Sequence, residues 1–127
     1  MLFKSVMVIK AAVCLVFGIL LLAVPNALLS FLGASLGSGG TFTSREYGAA
    51  LFGNLMLTWF ARNATESAVR RAIILALFIY DAIGFIVSLI AVLSGVLNPF
   101  GWFIVATYLF FTLGFGYLLK TEKSTPL

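Results

Sequence analysis

Between residues 72 and 119 the chain carries a single charge, Asp81. A small water-soluble fold has too little interior to hide so long an apolar stretch. The whole chain agrees, with 62% hydrophobic and 9% charged residues among 127, where soluble domains carry roughly 25% charged. Lipid is therefore the solvent this sequence suits. A membrane-spanning helix takes ~20 mostly apolar residues. Four segments qualify, at about 6–24, 45–61, 72–93 and 100–119. The alternating short strands of a membrane barrel are absent. The expectation is all-α: one domain over 1–127, an integral membrane bundle of four transmembrane helices with little outside the bilayer.

The net charge of +4 is no nucleic-acid footprint, because the basic residues cluster near helix ends, where they set orientation. Lys4 precedes the first segment and Lys10 lies in its early turns. Arg62, Arg70 and Arg71 flank the connection between the second and third segments, and Lys120 and Lys123 follow the fourth. The remaining connections hold only Arg45 and Glu46, which cancel. Both termini are thus expected in the cytoplasm. Lys4 and Lys10 before an apolar run resemble a signal peptide, but no clean small-x-small site follows, so the first segment reads as a retained helix. Tyr47 and Trp102 are placed at the outer boundary and Trp59 and Tyr117 at the inner one, as interfacial aromatics.

Local signals set the joints. Pro25 has no amide hydrogen and should end or bend the first helix. Residues 26–32, NALLSFL, are too short to span and suit a helical turn or two at the interface. GASLGSGG, residues 33–40, reads as a flexible linker. Thr43 with Glu46 has capping-box spacing for the second helix. Asn63 is the expected cap of the third, and its NAT glycosylation match is discounted on a cytoplasmic loop. Asn98 followed by Pro99 suits the start of the fourth. The KTEKSTPL tail reads as a mobile end.

Much chemistry is excluded. There is no histidine, so histidine-based haem, copper and zinc sites and histidine triads are absent. The single Cys14 can build neither an iron–sulfur site nor an intrachain disulfide. The carboxylates are dispersed, with Glu46, Glu66 and Glu122 at helix ends, and no pair suits a hydrolase. The residues call for no catalytic group, metal or cofactor, although a lipid or quinone held by shape remains compatible.

The polar groups that remain converge in depth. A short connection should make the second and third helices antiparallel neighbours. At ~1.5 Å per residue, Asp81 lies ~15 Å from Arg71 and Asn54 ~12 Å from Arg62. Lys10 and Thr112 fall at overlapping levels, so an intramembrane cluster of Asp81, Asn54, Lys10 and Thr112 is expected. Asp81, Gly84, Ser88, Ala91 and Gly95 draw a small-residue stripe along the third helix, as do Lys10, Cys14 and Gly18 on the first, and small residues let membrane helices approach. Asp81 should therefore face a packed seam, as interhelical polar glue or as a proton or cation site. Arg45, with Ala49 and Gly53, makes a second small-residue face, suited to a lipid phosphate or a partner's carboxylate, or to ordinary interfacial placement. Tyr80 and Tyr108 are deep enough to need hydroxyl partners and could line a lipid or quinone pocket or bond a backbone carbonyl.

The stretches REYGAALFGNLMLTWFAR (residues 45–62) and YDAIGFIVSLIAVLSGVLNPFGW (80–102) resemble the small four-helix bacterial membrane proteins grouped as DoxX-like. The resemblance implies the four-helix fold, a bacterial plasma-membrane location and a tendency to serve beside larger partners. The group's founding members resemble subunits of quinone-linked sulfur or thiol oxidation, and one cysteine without a metal ligand gives no basis for carrying that activity over. Small multidrug transporters differ by a membrane glutamate where this chain has Lys10. Fluoride channels carry their Gly- and Thr/Ser-Phe-rich motifs in the third helix, whereas GGTFTS falls in the first connection here.

Three functions fit. The first is a non-enzymatic accessory or assembly subunit of a larger membrane complex, with Phe110, Phe111 and Phe115 facing other chains. The second is a small homo-oligomeric transporter or channel using Asp81, whose acid would sit at a subunit interface. The third is a lipid- or quinone-binding redox helper. The partners are other membrane chains, further copies of itself, and lipids, with no nucleic acid. The charge bias generates the first test. A reporter fused to the C-terminus should read as cytoplasmic, and an external signal would overturn the assigned orientation.

Overall fold

The computed structural model describes residues 2–122; Lys123 and the end of the KTEKSTPL tail lie outside the described residues. Among those described there are five helices and no strand: α1 Leu2–Ala23, α2 Pro25–Phe31, α3 Ser38–Phe60, α4 Ala68–Leu93 and α5 Gly101–Thr121. α1, α4 and α5 are each long and apolar enough to cross a membrane. α3 has 23 residues, but its first turns, SGGTFTSRE, are polar and glycine-rich. Length and composition together therefore identify three spans. The chain has the build of a helical membrane protein.

The breaks follow from backbone chemistry. Pro25 opens α2 directly after α1, because it cannot donate to the α1 ladder and its fixed φ suits a first helical position. α2 ends at Gly33, with φ 85°, where Gly33 N donates to Ser30 O and Ala34 N to Leu29 O. This is the glycine-terminated turn that satisfies the last carbonyls of a helix. Gly95, with φ 83°, closes α4 in the same way through Val92 O and Ala91 O. Asn98 accepts from the Phe100 amide at 3.0 Å, but α5 begins only at Gly101, after Phe100 and with no side-chain cap. Asn98 and Pro99 therefore form the turn before the helix and not its cap and first turn.

Two further starts differ from expectation. α3 begins at Ser38, so the glycine linker is shorter than 33–40 and Thr43 lies inside the helix. Its hydroxyl donates to Gly39 O, one turn back, at 3.0 Å, and so caps nothing. The glycines lower helix propensity, yet the first turns still fold, with Thr41 reaching Asn26 of α2 at 3.4 Å. α4 begins at Ala68, and its cap is Ser67, which accepts from Arg70 N. Asn63 lies outside the helix because the chain needs residues 61–67 to turn between α3 and α4.

The packing corrects one larger expectation. α3 lies along α1 and α4 along α5, with no Cα of α3 within 8 Å of a Cα of α4. The consecutive helices α3 and α4 are thus not packed neighbours. The reason is where the glycines fall. A Cβ on Gly48 would stand 3.1 Å from Gly18 O and 3.0 Å from Leu22, so the α1 and α3 backbones already touch there. Gly84 takes the Tyr108 ring and Gly116 takes Phe78, which docks α4 on α5. By contrast, Arg45, Ala49 and Gly53 lie on an exposed face, and nothing stands within 4 Å of a Cβ on Gly53. That face is not a seam within the chain.

The two helix pairs join most tightly where the termini meet. Arg70 at the start of α4 pairs with Glu122 past the end of α5 and lies 4.0 Å over the Phe3 ring of α1. Arg71 donates to the terminal carbonyls of Leu119 and Glu122, which favours a cation at a helix C-terminus. Behind this basic end Phe3, Met7, Ile74, Phe111 and Phe115 form a closed core. Phe111 and Phe115 are therefore internal packing, not partner-facing, and only Phe110 of that trio is exposed. Trp59, Trp102 and Tyr117 are also exposed.

The opposite end is looser. α2 crosses it and is tied to the α4–α5 connection, where Asn98 donates through its backbone to Leu32 O at 2.7 Å and through its side chain to Phe31 O at 2.9 Å. Phe31 stacks on Phe100 with centroids 4.7 Å apart.

In lipid no hydrophobic force joins helices, so close van der Waals fit carries the association. Gly48→Leu should therefore lower stability by about 1–3 kcal/mol through overpacking. Gly53→Ala should be neutral or stabilise by up to about 1 kcal/mol. Graded SDS unfolding of both variants checks the pair, and equal effects would contradict the α1–α3 seam.

Candidate functional site

Between the closed basic end and α2 the two helix pairs stand apart and enclose a cavity of about 360 Å³. Pockets for small ligands run from roughly 300 to 1,000 Å³. Its walls come from all four long helices and are mostly apolar, with Leu21 and Leu51 on one side and Ile104 and Phe111 on the other. Leu28, Leu29 and Leu32, in and just after α2, roof it. Val87 borders the cavity and is 61% exposed, which places part of the rim on the outer face of α4.

The floor is polar. Lys10 Nζ lies 2.7 Å from Asp81 Oδ1, with the two side chains 4% and 0% exposed. No Cα of α1 approaches within 8 Å of a Cα of α4, so the pair reaches across the bundle on side-chain length alone. The lysine stem can span that diagonal while its ammonium finds the acid. Aromatic faces complete its surroundings, with the Tyr80 and Phe111 ring centroids 4.9 and 4.5 Å from Nζ. Both are within the range of a cation–π contact. Asp81 Oδ2 is buried and has no partner.

Beside the ion pair three phenols converge from three helices. The Tyr47 hydroxyl lies 2.6 Å from that of Tyr80 and also bonds that of Tyr108. Two contacts among three hydroxyls use two protons, so one O–H remains to donate elsewhere. Tyr108 reaches the group because its ring lies flat over Gly84, where any Cβ would overlap it.

The cluster expected from sequence is thus divided. Lys10 and Asp81 meet, and Tyr80 and Tyr108 line the same cavity, bonded to a hydroxyl and not to a backbone carbonyl. Asn54 and Thr112 do not join. Thr112 gives its hydroxyl to Tyr108 O at 2.7 Å within its own helix, the usual outlet for threonine in a helix. Asn54 contributes its backbone carbonyl to Thr58 and does not border the cavity, because α3 packs on α1 and leaves α4. Arg45 is exposed on the far face of α3. Tyr47 is the residue the sequence reading misplaced. With α3 starting at Ser38 it lies nine residues into the helix, and it points inward to the phenol group, not out to the interface. Ser44, Tyr47 and Leu51 at spacings of three and four all border the cavity, a period that could have revealed the face. Comparison with protein-family models, curated proteins and solved structures returns no match for the chain.

The ion pair generates a stability test. Lys10→Met leaves Asp81 buried without its partner and should cost about 3–5 kcal/mol, while the double change Lys10→Met with Asp81→Leu should recover most of that loss. A double-mutant cycle by SDS unfolding measures both, and additive losses would exclude coupling.

Proposed function

We propose that this chain is a four-span membrane protein that holds a lipid- or quinone-sized amphiphile within the bilayer. In this reading it works beside other membrane chains and performs no chemistry of its own. The observation that carries the proposal is the cavity, an apolar chamber of about 360 Å³ closed at one end by a polar floor. Long apolar walls with a few convergent polar groups are the usual form of a small-molecule site. An oily chamber facing lipid would admit an acyl or isoprenoid chain, and the floor would receive its head.

Supporting details are consistent with this. α3 runs lengthwise on α1 and supplies cavity wall from Ser44 to Leu51, which favours counting it as the fourth span. The basic end carries both the N-terminal residues and the last turn of α5, which favours cytoplasmic termini. The resemblance to DoxX-like proteins favours a bacterial plasma membrane and service as an accessory subunit. Lys10 and Asp81 are paired inside one chain, whereas a two-fold carrier would bring the acid to a subunit interface. A proton- or cation-coupled carrier draws on the unpartnered Asp81 Oδ2. The Lys10 ammonium opposes a second cation beside the acid, so the ligand-holding reading is preferred.

Native mass spectrometry from mild detergent tests the proposal. The wild-type protein should carry a bound small molecule that Ala91→Trp, which fills the chamber wall, removes without unfolding the chain. A wild-type protein that is empty in every preparation would reject it.

A further inference from the structure

The floor of the cavity restricts what kind of head group can lie there. Of the acidic and basic side chains among the described residues, Lys10 and Asp81 alone border the cavity. They are in contact at 2.7 Å, so the chamber carries no net charge. An anionic head would enter an apolar space whose one cation already has its counter-ion, and a cationic head would meet an acid already paired with lysine. Burying either without compensation is strongly unfavourable. An uncharged head meets no such penalty.

Two hydrogen-bonding groups at the floor remain unsatisfied. Asp81 Oδ2 is a buried acceptor with no hydrogen-bond partner. The three bonded phenols of Tyr47, Tyr80 and Tyr108 have one O–H to spare. A group that can donate to the first and accept from the second is a hydroxyl. The chain behind it has room, since Asp81 and Ala91, which both border the cavity, are ~15 Å apart along α4 at ~1.5 Å per residue.

We infer that the cavity selects an uncharged, hydroxyl-bearing single-chain amphiphile over an anionic one, and that the Lys10–Asp81 pair sets this preference by leaving the chamber electrically neutral. The inference rests on the ligand-holding reading above and deepens it. The head group belongs at the ion pair and the phenols, and the tail runs toward α2. Replacing Asp81 with asparagine keeps the shape and frees the lysine charge, which turns a neutral floor into a cationic one.

Two probes with the same chain, 1-dodecanol and dodecylphosphonate, separate the possibilities. Binding is measured by native mass spectrometry on delipidated protein in amphipol. Wild-type protein should bind the alcohol more tightly by about 100-fold or more, the scale expected for burying an anion without a counter-charge. Asp81→Asn should shift the preference toward the phosphonate by at least about tenfold, and the double variant Lys10→Met with Asp81→Asn should return it to the alcohol. The wild-type comparison holds even if the single variant does not fold. Equal or tighter phosphonate binding by the wild type, abolished by Ala91→Trp, would overturn the head-group inference and leave the cavity reading standing. An unchanged preference in a folded Asp81→Asn would remove the ion pair as its cause. No binding of either probe, or binding that Ala91→Trp leaves intact, would overturn the cavity reading and the inference together.

Discussion

A lysine buried in hydrocarbon has no water to solvate its ammonium, so it must find an anion or pull its helix toward the surface. In this chain Lys10 finds Asp81, the only charge between residues 72 and 119. The contact crosses the bundle between two helices whose backbones do not touch. Both groups are long or flexible enough to meet at the centre, and both would be costly alone. This constraint fixes the relative depth of α1 and α4 and brings together helix pairs that otherwise meet chiefly at the basic end.

The rest of the architecture follows from where space is filled. At the basic end large rings do the filling, with Phe3, Phe111 and Phe115 almost fully enclosed and Arg70 laid over the Phe3 ring. Beyond Lys10 the inward positions of α1 and α4 become small, with Cys14 and Gly18 on one helix and Gly84, Ser88 and Ala91 on the other. On α1 the small residues are used by α3, which presses Gly48 against Gly18. On α4 Gly84 is covered by Tyr108, and Ser88 and Ala91 border the cavity. A small-residue stripe with no helix seated on it leaves a chamber. α2 then roofs that chamber, held at its C-terminal end by Asn98.

Stability and the proposed binding role therefore lie at opposite ends of the same helices. The basic end gathers the ion pair of Arg70 with Glu122, carbonyl capping by Arg71 and the aromatic core. The α2 end is held by hydrogen bonds from Asn98, one stacked ring pair, the Thr41–Asn26 contact and the smaller cluster of Cys14, Leu21 and Leu51. Regions with few buried contacts are those that open most easily. A molecule entering from lipid would meet the looser end, while the end that anchors the fold stays closed.

Local sequence was enough for the lipid-suited composition, the helical class and most of the breaks. Those properties follow from local chemistry: apolar length, proline without its amide hydrogen, and glycine free to take positive φ. It also placed Lys10 and Asp81 at one level, since depth is read by counting residues along a helix. What it could not determine was which helix stands beside which. Counting along each helix fixes height, but adjacency depends on the fit of surfaces between helices. The short connection pointed α3 toward α4, and the mutual fit of Gly18 with Gly48 and of Gly84 with Tyr108 decided otherwise. That choice separated Asn54 from Asp81, turned Tyr47 inward to join Tyr80 and Tyr108, and left the chamber between the helix pairs. Tertiary packing alone decided these outcomes, because close approach in lipid depends on three-dimensional shape that no single segment contains.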